Sequence, residues 1–148
     1  MNNEKLPFSQ WNPAVAVPFV KEKEGLRLKA YKCSANRWTI GYGHTRGVHE
    51  GMTIDLKTAE RFLLDDIQNV VEELTPHVKT PVTEGQFIAL VSLAFNVGAP
   101  AVARSHTLQH LNNKQLEKAK SGWLTFNKVN GVPNEKITNR RRSEVALM

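Results

Sequence analysis

The chain is poor in cysteine: Cys33 is the only one in 148 residues. An intrachain disulfide framework is therefore excluded, as is a zinc site built from several thiolates. There is no run of 18 apolar residues, so no helix is expected to span a membrane. The first residues, Met1 to Trp11, lack the apolar stretch of a signal peptide, and the chain is expected to stay in a cytosol unless something else releases it. Histidine is sparse and shows no metal-binding spacing. His106 and His110 lie four apart with no carboxylate ligand evident beside them, so neither a metal nor a cofactor is expected. Acidic residues are in deficit, 14 against 20 Lys and Arg, which leaves a formal charge of +6. Such a surplus suits an anionic partner: nucleic acid, a membrane surface or an acidic wall polymer. What remains is ordinary. Apolar residues make up 41% and charged residues 23%, glycine and proline are scattered, and no internal repeat is found. One domain, able to bury about two-thirds of its unfolded surface, accounts for the length.

Residues 1–12 read as a polar arm. Pro13 opens a short helical stretch that continues from Pro18 and ends at Gly25. Leu26, Leu28 and Ala30 then alternate with Arg27, Lys29 and Tyr31, as a strand does. Ser34-Ala35-Asn36 is turn chemistry, and residues 37–43 form a second strand weakened by Gly41 and Gly43. Residues 44–52 read as a loop with room for a third short strand. Asp55 suits the N-cap of a long helix whose face is Leu56, Ala59, Leu63, Ile67, Val70 and Leu74, ended by Pro76. Thr83 to Gln86 has capping-box spacing ahead of the stripe Phe87, Leu90, Val91, Ala94 and Phe95, which Gly98 closes. Ser105 caps a short helix to Leu111. Another runs from Lys114 to Ser121 and stops at Gly122. Residues 128–135 are a loop, and a basic helix runs from Ile137 to Met148. The pattern predicts an α+β chain, mostly helical, with a small antiparallel sheet.

Several residues could carry chemistry. Glu24 follows Val20 by four positions and so shares an apolar helical face. Loss of solvation favours the protonated form of a carboxyl, which a general acid requires. The plainer reading is a structural Glu held by an Arg. Cys33 and Thr39 share a strand face if the turn between the strands has an odd number of residues, and lie on opposite faces if it is even. A small apolar filler and an ordinary strand residue are the plainer readings for these two. His44 could pair with Cys33 as a nucleophile and base. A structural histidine tied to Asp65 or Asp66 is favoured, because no third orienting group is evident. Arg140-Arg141-Arg142 could hold a phosphate, form a solvated face, or turn one Arg inward onto Glu24. No recognition helix or aromatic interleaving accompanies them, so no nucleic-acid partner is expected.

Read together, the segments Glu24-Gly25-Leu26-Arg27-Leu28-Lys29-Ala30-Tyr31 and Thr39-Ile40-Gly41-Tyr42-Gly43-His44 closely resemble the phage-type lysozymes, the endolysins or muramidases of glycoside hydrolase family 24. Thr83 to Phe87, Ala94 to Gly98 and Asn139 to Glu144 extend the likeness over residues 13–148. The resemblance implies a lysozyme-like single domain. It comprises an N-terminal arm (1–12), a sheet-bearing lobe (about 13–54), a connecting helix (about 55–75) and a helical lobe (about 76–148), with a cleft between the lobes. It also implies hydrolysis of the β-1,4 bond between N-acetylmuramic acid and N-acetylglucosamine in bacterial peptidoglycan, leading to host cell lysis. The family's catalytic pattern of Glu, eight residues, Asp or Cys, five residues, Thr falls on Glu24, Cys33 and Thr39.

Glu24 would protonate the departing oxygen and Thr39 would place a water. Cys33 departs from the commoner Asp. As a nucleophile it would retain configuration; as a base it would invert. Arg140 would pair with Glu24, His44 would be structural, and sugar contacts would fall at Thr45, Phe95, Asn96 and Thr107. The expected partners are peptidoglycan and anionic envelope polymers, met by a monomer without stable membrane insertion. The family reading also implies accumulation in the bacterial host cytoplasm and release to the wall by a separate pore-forming protein. Three alternatives use the same residues differently: a cationic membrane disruptor acting through the basic C-terminal helix, a nucleic-acid-binding domain, and a Cys–His amidase or peptidase.

Overall fold

The computed structural model describes residues 3–148, so Met1 and Asn2 of the expected arm lie outside the described residues. From residue 5 onward the arm is docked. Lys5–Leu6 (β1) pairs antiparallel with Val82–Thr83, Phe8 is buried against Phe87 with ring centroids 4.9 Å apart, and Trp11 Nε1 donates to the Val82 carbonyl at 2.9 Å. Leu6, Phe8 and Trp11 are apolar anchors diluted among polar neighbours, which is why the segment reads as polar overall.

Asn12 caps a 3-10 turn over Pro13–Ala16, accepting from the Ala14 N–H, and the chain continues into Val17–Glu24 (α1). Gly25, at φ +69°, ends it as expected. Arg27–Lys32 (β2) and Trp38–Gly41 (β3) form the main hairpin. Tyr31 pairs with Thr39 and Lys32 with Trp38, and the Cys33 N–H donates to the Arg37 carbonyl at 3.0 Å. The turn is therefore the three-residue one, with Asn36 at φ +61°. Below it the register slips before Arg27 meets Gly41. The third strand is reduced to single bridges, Lys29 to Thr53 and Ile40 to His44. Leu26 and Leu28 have the alternation of a strand, but they stay at the surface, 41% and 42% exposed.

Asp55 accepts from the Thr58 N–H at 2.8 Å and starts Leu56–Leu74 (α2). The buried face is Ala59, Leu63, Ile67, Val71 and Leu74. Val71 takes the fully inward place expected of Val70, and Leu56 stays half exposed, because steps of four from Ala59 bring 63, 67 and 71 to one line. Pro76 tightens the end into a 3-10 turn. After Val82–Thr83 (β4) comes Glu84–Val97 (α3), with both arms of the Thr83–Gln86 capping box formed. Every residue from Gly85 to Ala94 is buried, so the expected stripe is instead a helix apolar all round, threaded through the core.

Ala99–Ala103 (α4) and His106–Asn112 (α5) follow, the latter capped by Ser105. Leu116–Trp123 (α6) runs through Gly122, where a stop was expected. A Cβ at 122 would lie 2.4 Å from Thr107 Oγ1, so this glycine serves close helix packing and not termination. The expected loop after it is a small hairpin, Lys128–Val129 (β5) with Val132–Pro133 (β6), turned at Asn130-Gly131 with both φ positive. Asn134 caps Glu135–Leu147 (α7), which lies against α3. The fold is α+β and mostly helical, with small antiparallel sheets.

Candidate active site

Helix α1 delivers Glu24 at its last position, with the side chain only 18% exposed. Helix α7 supplies its partner. Arg140 Nη1 donates to Glu24 Oε2 at 2.5 Å, its Nη2 to the Ser92 carbonyl at 3.2 Å and its Nε to Ser92 Oγ at 3.3 Å. Of the three consecutive arginines, Arg140 is the one turned inward onto Glu24. Arg141 is also buried but goes to Glu144, with Nη2 to Oε2 at 3.0 Å, while Arg142 is exposed. Burial pulls the Arg141 guanidinium below its usual proton affinity, and the Glu144 charge opposes that pull.

Gly43 presses backbone against the acid. Its φ is +81°, and a Cβ there would sit 2.9 Å from Glu24 Oε1 and 3.6 Å from the Phe95 ring. Any side chain would meet both strain and the carboxylate. A cavity of about 430 Å³ opens beside Glu24, lined by Lys23, Asn96, Lys136, Asn139, Arg140 and others. Across Gly43 lies a shallower hollow of about 200 Å³ that includes Thr45, Arg46, Asp66, Asn69 and Phe95. Glu24, Gly43, Phe95, Asn96, Thr45 and Arg140 thus form one continuous region.

Cys33 and Thr39 form a second group on the hairpin. The odd turn puts them on one face, with Cys33 opposite Arg37 and Thr39 two residues beyond. The Thr39 hydroxyl donates to the Arg37 carbonyl at 3.0 Å. Turned toward Cys33, it is the main reason the thiol sits below its usual proton affinity, with the backbone N–H groups around the turn assisting. One hydroxyl proton cannot serve both acceptors at once. Three residues of chain separate Thr39 from Gly43, which keeps the Thr39 backbone within about 14 Å of the backbone that touches Glu24.

His44 is engaged elsewhere than with Cys33. Its Nδ1 lies 2.7 Å from Asp66 Oδ2 and its ring stacks on Phe62 at 4.2 Å, the structural arrangement favoured from sequence. Burial raises the Asp66 carboxyl above the usual range, and His44 opposes the rise. Thr107 is not brought to Glu24. It lines a separate cavity of about 530 Å³ with His106, His110 and Gly122. Sequence reasoning missed Ser92 and Glu144. A lone hydroxyl inside an apolar helix, and an acid four residues after Arg140, are the signals that point to them. Among the described residues no group of three or more His, Cys, Asp or Glu could hold a metal ion.

Residues 21–144 match the family model described as Phage lysozyme. The endolysin of Acyrthosiphon pisum secondary endosymbiont phage 1 is 42% identical over 132 residues, covering 86% of this chain and 90% of that one. The endolysin of Bacillus phage B103 is 40% identical over 134 residues, and the match spans 88% of this chain but about half (51%) of that relative. Among solved structures, the muramidase domain of SpmX from Asticaccaulis excentricus superposes with a TM-score of 0.83 at 34% identity, covering 89% of this chain and 92% of that one.

Proposed function

The chain belongs to the phage lysozyme family and is a glycoside hydrolase of the endolysin type, and from that premise we propose that Glu24, Cys33 and Thr39 cleave the β-1,4 bond between N-acetylmuramic acid and N-acetylglucosamine of peptidoglycan. The observation that carries the assignment is the half-buried Glu24 carboxyl held between Arg140 and the Gly43 backbone at the edge of a cavity. Glu24 gives its proton to the leaving glycosidic oxygen as the C1–O bond breaks. Arg140 holds the carboxyl in place before that transfer and stabilises the carboxylate left after it.

Cys33, biased toward thiolate by Thr39, serves the opposite side of the sugar carbon. If sulfur attacks, an S–C1 bond forms and water later breaks it, with Glu24 taking up the water proton, so configuration is retained. If sulfur acts as base, it takes the proton of a water placed by Thr39, and configuration inverts. The anomer of the first product distinguishes the two. Thr45, Phe95 and Asn96 contact the sugars near the scissile bond. Thr107, in its own cavity, meets a more distant part of the long polymer.

Anionic envelope polymers are the counterpart of the basic surface. The chain acts as a monomer, without nucleic acid or stable membrane insertion, and it waits in the host cytoplasm until a separate pore-forming protein admits it to the wall. Among the described residues no helix is long and apolar enough to cross a membrane.

Digestion of purified peptidoglycan with product analysis tests this reading. The wild type should release new reducing sugar ends and no new amino groups, and Glu24→Gln should release neither. Full activity in Glu24→Gln, or cleavage of the stem peptide, would refute it.

A further inference from the structure

Resting on the reading of Glu24 as the proton donor, we propose that Glu144 is a positioning residue for the reaction: through Ser92 and Arg140 it sets how firmly the guanidinium grips the Glu24 carboxyl. Glu144 is fully buried and lies on the far side of Arg140 from Glu24. Its Oε2 accepts from Ser92 Oγ at 2.5 Å and lies 3.5 Å from Arg140 Nε; its Oε1 accepts from Trp123 Nε1 at 3.1 Å.

The Ser92 hydroxyl has one proton and gives it to Glu144. Its lone pairs are then left facing Arg140 Nε, 3.3 Å away. The direction of one hydroxyl thus carries the position of Glu144 to the guanidinium, whose far end, Nη1, is on Glu24. Charge follows the same route. Arg140 faces two carboxylates, Glu24 from α1 and Glu144 from its own helix, and each takes part of its attraction. Arg141, also on α7, is the second cation on Glu144, while Ser92 on α3 and Trp123 on α6 add uncharged donors. Besides Arg140, the charged groups lining the cavity beside Glu24 are Glu22 and Lys23 on α1 and Lys136 on α7.

Removing the negative charge at 144 leaves both arginines under-neutralised. Arg140 then holds Glu24 as carboxylate more tightly, and the proton that must be given away is present only at lower pH. A purely structural Glu144 would lower thermal stability and the amount of folded enzyme, without moving the pH dependence of the molecules that do fold.

The test measures kcat and KM on purified peptidoglycan across pH for wild type, Glu144→Gln, Glu144→Asp, Ser92→Ala and Glu24→Gln, with circular dichroism to confirm folding. In Glu144→Gln, one limb of the kcat profile should move to lower pH by about one unit, and kcat at neutral pH should fall about tenfold, with KM unchanged. Glu144→Asp, which keeps the charge, should recover most of the shift. Ser92→Ala cuts the hydroxyl link while leaving the carboxylate, so it serves if Glu144→Gln does not fold. Its kcat should fall several-fold at unchanged KM. Profiles that superimpose on wild type in whichever of these variants fold would overturn the proposal. Activity surviving in Glu24→Gln would instead show that the underlying assignment of the acid is wrong.

Discussion

At the scale of single residues, the site depends on small groups whose substitutions differ sharply in effect. Gly43 combines a positive φ with backbone pressed on Glu24. Gly43→Ala should cost about 1–2 kcal/mol of stability from the left-handed backbone alone. Its kcat should fall at least tenfold because the methyl group displaces the acid, and an alanine variant with full kcat would show that the approach does not matter. At Cys33 the sign of the hydroxyl effect can be worked out. A donor facing sulfur stabilises thiolate more than thiol, so it lowers the thiol's proton affinity. Alkylation by iodoacetamide should therefore reach half-maximal rate at lower pH in wild type than in Thr39→Val. Coincident midpoints would remove Thr39 as the cause. Cys33→Asp should keep substantial activity and Cys33→Ala should lose most of it. These residues were legible in the sequence to different degrees, for physical reasons. The pairing of Cys33 with Thr39 depended on the parity of one turn, and Ser34-Ala35-Asn36 supplied the odd one. Arg140 was identifiable as one of three adjacent arginines. Ser92 and Glu144 were not singled out: a lone hydroxyl in an apolar helix and an acid four residues after Arg140 mark each of them, but the hydrogen bond that joins them spans 52 residues and leaves no local pattern for the pairing.

At the scale of elements, period and punctuation foretold α2 and α3 closely, since Asp55, Thr83 and Gly98 act through bonds within a few residues of themselves. Reading by local rule failed where a distant partner decided the outcome. Gly122 ends nothing because Thr107, fifteen positions earlier, needs the space. Gly122→Ala should therefore destabilise the packing of α5 on α6 even though alanine is the better helix former, and a higher melting temperature in that variant would contradict the packing argument. The N-terminal segment is the larger case. Its polarity suggests a free arm, yet Phe8 fills a place against Phe87, and Leu6 and Trp11 tie the chain to β4. Phe8→Ala should cost roughly 3 kcal/mol by opening a core cavity. Urea denaturation measures this, and a loss below about 1 kcal/mol would mean that the segment is only laid on the surface.

At the scale of the whole molecule the charge is unevenly placed, and this bears on how the enzyme finds an insoluble polymer. Residues 25–49 contain Arg27, Lys29, Lys32, Arg37 and Arg46 and no acid, so the rest of the chain holds fifteen cations against fourteen acids. Almost all of the net charge therefore lies in the hairpin and the loop that follows it. Among the described residues none of these five cations has a carboxylate within 4.0 Å. The Arg27 guanidinium lies over the Tyr31 ring and the Lys32 ammonium over Trp38, at 4.7 and 5.4 Å, contacts that hold these charges on the hairpin without neutralising them. A field of this kind speeds encounter with a polyanion and is screened beyond about 8 Å at physiological salt. It does little for bond cleavage once a sugar is seated. Neutralising Lys29, Lys32 and Arg37 together as Gln should therefore slow lysis of intact walls several-fold at low salt and flatten the salt dependence. Turnover of a short, uncharged glycan fragment should be nearly unchanged, because Glu24 and its partners are untouched. Equal losses on both substrates would place these cations in the catalytic step, and no loss on either would leave the charge asymmetry without a part in lysis.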